Sequence, residues 1–143
     1  PDPQAGARER EARAAAQRAE TEAAAQETAR RDRMLLQSYT TIAEIERTRD
    51  RRLEGVAGKI GLARHRVRRA RERIAQYDDE LAKQGEEHEH RAAMQRQRRE
   101  VVERLERRRE ELARLRDKRA GIEARFARDI ERFRELQAET GAD

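Results

Sequence analysis

Apolar residues recur every seventh position through the middle of the chain. Leu53, Ile60, Val67, Ile74 and Leu81 form one ladder, and Val56, Ala63, Ala70 and Tyr77 follow the first four rungs by three residues. Spacings of three, four and seven put all nine on one narrow stripe of a helix, the pattern of a helix–helix seam. A second stripe, Val101, Leu105, Leu112, Leu115, Ile122, Phe126, Ile130 and Phe133, follows a polar, glycine-containing break at Gln84–His90. The expected fold is all-α: an elongated antiparallel coiled-coil hairpin, with its first arm over 41–84, a turn over 85–90 and a second arm over 91–137.

One pairing satisfies most apolar positions at once. If facing residues have numbers totalling about 175, Ile74 meets Val101, Ile60 meets Leu115 and Ile45 meets Ile130, while the small Ala70 and Ala63 face Leu105 and Leu112. The misfits are Arg98 opposite Tyr77, Arg108 opposite Val67, Arg119 opposite Val56 and Arg49 opposite Phe126. Their aliphatic stems can cover the seam while the heads reach water.

Upstream of the ladder the pattern weakens. Residues 1–6 have the composition of a disordered start, and 138–143 read as a tail. Residues 7–40 are mostly Ala, Arg, Glu and Gln, all good helix formers, with only a shallow alanine stripe at Ala12, Ala16, Ala19 and Ala23. This predicts an additional Ala-rich N-terminal helix that either folds back on the hairpin or projects from it. The tetrapeptide Thr41-Ile42-Ala43-Glu44 has the form of a capping box and predicts a new helix start.

Composition then narrows the possible functions. Of 143 residues, 45% are charged and 3% aromatic, so the chain can line a seam but cannot fill a thick core. There is no cysteine, which excludes disulfides and thiolate chemistry. No Gly-rich phosphate loop is present, and the only serine is Ser38. An enzyme is not expected, nor is a cofactor. His88, Glu89 and His90, with Glu86 and Glu87, offer only loosely placed metal donors in a turn, and no metal site is assigned.

Charge is uneven along the chain. The overall balance is +5, and residues 51–83 of the first arm carry +5 by themselves, chiefly through Arg64, Arg66, Arg68, Arg69, Arg71 and Arg73. These six are the candidate anion-binding residues. Glu100, Glu103, Glu106, Glu110 and Glu111 lie at the matching level of the return arm, so cross-arm ion pairs are the first expectation for the run. An acidic protein or anionic membrane surface is the next, and nucleic acid is disfavoured by the lack of stacking aromatics. Gly55, Gly58 and Gly61 stand on the outward face of the first arm, with Gly121 at a similar level of the second. Each costs about 1 kcal/mol relative to alanine in a helix. They read either as a soft spot or as a shaved surface for partner docking.

The two ends of the patterned region are the most distinctive. Arg31-Asp32-Arg33-Met34-Leu35-Leu36-Gln37-Ser38-Tyr39, then Ile42 to Ile45 and Arg49-Asp50-Arg51-Arg52-Leu53, form the opening. The stretch from Ile122 to Leu136, with Phe126, Ile130 and Phe133, forms the close. Together they resemble a family of uncharacterised proteobacterial envelope proteins, which have a signal peptide, sometimes a small β-rich domain, and a coiled-coil region. The resemblance implies a periplasmic location with the signal peptide removed, and offers no site residues to carry over. The expectation is a structural or adaptor protein that docks or braces a protein partner, by self-association or within a larger envelope assembly. No membrane span is expected, and peripheral membrane contact is compatible with the charge.

Overall fold

The computed structural model describes residues 2–85 and 89–141. It is all-α, with three helices: α1 (Ala5–Ser38), α2 (Ile42–Lys83) and α3 (Arg91–Gly141). Glu86, Glu87 and His88, and with them the weak metal reading of the turn, lie outside the described residues. The chain divides into two compact units, one of residues 1–46 and 127–143 and the other of residues 47–126.

Unit 47–126 carries the paired helices. α2 and α3 pack closely as a hairpin around Val56, Ile60, Ala63, Val67, Ala70 and Tyr77 from α2 and Val101, Leu105 and Leu112 from α3. Ile74, Met94, Leu115 and Ile122 pack against this cluster while partly buried. The polar contacts between the helices set the register independently of the apolar ones. Tyr77 meets Gln97 at 3.4 Å, Asp78 accepts from Arg98 at 2.6 Å and Glu111 accepts from Arg66 at 3.4 Å. These pairs total 174, 176 and 177, beside the 175 expected from the ladder.

Small against large is what lets the helices close. Ala63 and Ala70 are 1% and 6% exposed, at the levels where α3 brings Leu112 and Leu105. Two leucines at such a level would hold the backbones apart. The four arginine misfits are partly exposed, and each head finds an oxygen. Arg98 reaches Asp78, Arg108 reaches Glu111, Arg119 reaches Glu123 and Arg49 reaches Asp50. Near the other end of the unit the Arg52 guanidinium lies over the Phe126 ring, 5.5 Å from its centroid.

The unit of residues 1–46 and 127–143 contains α1, the first turn of α2 and the last turns of α3. Its buried residues are Ile45, Ile130, Phe133 and Leu136, and none of them comes from α1. Helix α1 stops without glycine or proline. Tyr39 turns extended (φ −136°, ψ 143°) while its amide still donates to Leu35 O. The capping box then restarts the helix: Thr41 Oγ1 accepts from the Glu44 amide at 3.3 Å, and the Glu44 carboxylate accepts from the amide of Thr40 at 3.0 Å. The carboxylate therefore reaches one residue further back than the simple box requires.

Among the described residues no helix is long and apolar enough to cross a membrane.

Candidate functional site

The six arginines of the basic run do not behave as one patch. Arg66 bonds across to Glu111, which also forms an ion pair with Arg108 at 3.5 Å. Arg73 stacks over its own helix's Tyr77 ring, 4.8 Å from the centroid, and donates to the Tyr77 hydroxyl and to Gln76. Both belong to the side of the hairpin where the return helix supplies acceptors. Arg64, Arg68, Arg69 and Arg71 meet no carboxylate within 4 Å among the described residues. The expected cross-arm neutralisation by five glutamates is thus confined to Glu111. Glu106 pairs with Arg109 on its own helix at 3.1 Å instead.

Arg64, Arg68 and Arg71 lie four and three residues apart, which keeps them on one face of α2. Arg109 and Arg116, seven apart on α3, share a face in the same way. The hairpin brings the two rows to a single open groove, with Val67, Leu112 and Ala113 between them. Sequence reading singled out the α2 arginines and missed Arg109 and Arg116, because acidic residues are interspersed with the arginines of α3 and no uninterrupted basic run marks that face. The signal was present in the pairing: at a total of about 175, Arg109 comes level with Arg66, within the run.

The glycine face is bare. A Cβ placed on Gly55, Gly58, Gly61 or Gly121 meets no heavy atom within 4 Å, and none of these residues has a positive φ. No close helix packing therefore requires glycine at these positions in this chain. Leu62, one residue beyond Gly61, is about half exposed.

A third charged arrangement ties α1 to α3. The Arg132 guanidinium grips Asp32 with two bonds, Nε to Oδ1 at 2.9 Å and Nη2 to Oδ2 at 2.8 Å, and spends Nη1 on Glu135 at 2.7 Å. The hydrogen bonds from Arg132 hold the Asp32 carboxyl below its ordinary value against the opposing effect of burial. Five residues earlier on α1, Glu27 accepts from Arg30 and Arg31, and the Arg30 bond foremost holds its pKa at about 2. Asp32 lies in the last turns of α1, and its partner was not legible from spacing.

Comparisons of the chain with protein-family models, with curated proteins and with solved structures find no match.

Proposed function

We propose that this chain is a non-catalytic structural or adaptor protein that docks a partner protein through its helical surfaces. In this reading the hairpin is an elongated antiparallel coiled coil, stiff because its seam has one register. The observation that carries the proposal is α1: a 34-residue helix with no buried residue. Most helices in proteins are stabilised by packing an apolar face. This one persists on helix-forming residues and local ion pairs such as Glu27 with Arg30 and Arg31. Apart from Asp32, which Arg132 of α3 holds, most of its length of surface is left by the described fold for contact. The resemblance at residues 31–53 and 122–136 supports a bacterial periplasmic setting for that contact.

Photo-crosslinking residues introduced at Ala16 and Ala23 of the full chain, expressed in its native host, test the reading. The expected product is one crosslinked protein of defined size at both positions. Crosslinks that stay absent, while residues within the chain's own helices crosslink normally, would overturn it.

A further inference from the structure

We infer that the five-arginine groove between α2 and α3 is a docking site for an acidic amphipathic helix of a partner protein, one with a narrow stripe of small or apolar residues flanked by carboxylates. The inference rests on the adaptor reading and names the kind of partner that reading leaves open.

Charge complementarity selects this occupant. The groove is lined by Arg64, Arg68 and Arg71 on one side and by Arg109 and Arg116 on the other. Among the described residues, only Arg109 of these five has a carboxylate within 4 Å, that of Glu106. On the opposite side of the same hairpin Glu111 lies between Arg66 and Arg108 and pairs with both. On the groove side Arg64, Arg68, Arg71 and Arg116 meet no carboxylate within 4 Å among the described residues, over about 10 Å of helix on each side.

Shape narrows the choice further. A groove between two packed helices is the surface into which the side-chain ridges of a third helix fit. Its floor is Val67 and Leu112, 6% and 8% exposed, with the exposed Ala113 beside them. A small-residue stripe can settle on that floor while carboxylates on either edge reach the two guanidinium rows, as flanking charges do in helix–helix pairing. A membrane surface would call for apolar side chains that project, whereas the apolar groups here are recessed. A nucleic-acid duplex is too broad to reach the floor and would leave it unused. The chain already holds one carboxylate from a neighbouring helix by this chemistry, since Arg132 of α3 takes Asp32 of α1 with paired bonds.

The test uses the full chain and a synthetic three-heptad helical peptide with alanine and leucine in its seam and glutamate at both edges. Binding is measured in low salt by fluorescence anisotropy. The proposal expects the peptide to bind, with affinity reduced about tenfold or more by R64Q/R68Q/R71Q and, separately, by R109Q/R116Q. The control R66Q/R73Q, on the Glu111 side and away from the groove, should change affinity by less than about threefold. Circular dichroism confirms that each variant keeps its helix content. Equal binding of a shuffled peptide with the same composition would overturn the proposal, because only net charge would then matter. Tighter arginine-dependent binding of a short DNA duplex, or of vesicles of equal phosphatidylglycerol and phosphatidylcholine, would overturn it in favour of those ligands. Absence of peptide binding would also refute it. If the groove variants leave the α1 crosslinked partner unchanged, this site is wrong while the adaptor reading stands; loss of the crosslink in the unmodified chain is the failure of that reading instead.

Discussion

Replacing Gly55, Gly58 and Gly61 together by alanine should make the hairpin substantially more stable. All three lie inside α2, none has a positive φ, and an added methyl meets no atom within 4 Å. Nothing in the folded chain therefore opposes the change. Each substitution restores helix propensity of about 0.8–1 kcal/mol, much of it by restricting the unfolded backbone. The sum is about 2–3 kcal/mol. For a chain of 143 residues the entropy of unfolding is about 0.3 kcal/mol per degree, so the melting midpoint should rise by about 7–10 °C. Thermal unfolding followed by circular dichroism at 222 nm reads the shift directly. Sedimentation equilibrium of both proteins is needed beside it, since association raises apparent stability by mass action. An unchanged or lower midpoint would refute the reasoning. It would mean that the glycine face is occupied in solution, and a loss of association in the triple variant would identify a second copy as the occupant.

Three further outcomes follow from the packing and the charges. Ala63→Leu adds volume where the seam has 1% exposure, and should destabilise the hairpin by about 1–3 kcal/mol in urea unfolding. Thr41→Ala removes the acceptor for the Glu44 amide and should cost about 1 kcal/mol, seen as faster amide exchange in the first turn of α2 with exchange near Ala63 unaltered. Acid acts on the α1 carboxylates: a group whose folded pKa is lowered stabilises above its ordinary value and loses that contribution as pH falls. For Glu27 the contribution should fade between pH 4.5 and about 2, and Asp32 should release Arg132 below its ordinary 3.8. Carbon-detected NMR titration of the two carboxyl groups checks this; midpoints at the ordinary values would contradict it.

The hairpin was legible because its information is periodic. Residues seven apart in Leu53–Leu81 report on one stripe, and matching two stripes gave a register that the Asp78–Arg98 and Tyr77–Gln97 contacts reproduce. Pairwise charge was much less legible. The register placed Glu100, Glu103, Glu106, Glu110 and Glu111 level with the arginine run, yet level is not the same as flank. A residue's rotation about its own helix decides whether it faces one groove or the other, and a long arginine or glutamate then chooses among several partners of nearly equal energy. That is why Glu106 turns to Arg109 while Glu111 crosses to Arg66. Asp32 with Arg132 was harder still, since it joins helices whose pairing no apolar stripe announces. The break between α1 and α2 was visible through Thr41 and Glu44 because polar side chains there compete with the helix for backbone groups.

Burial of Ala63 and Ala70 at the levels of Leu112 and Leu105 constrains how such a chain can change length. Sliding α3 along α2 by one repeat, so that facing numbers total about 168, would leave Ala63 opposite a leucine but bring Leu112 against Val56 and Arg98 against Ala70, crowding one level and putting a charge in the seam at another. A deletion in one helix alone forces that slide on every residue beyond it. Length can therefore change at low cost only in matched steps, seven residues from α2 together with seven from α3 at the same level. Homologous hairpins should differ in steps of about 14 residues, split evenly about the turn, while single substitutions on the outer faces accumulate freely.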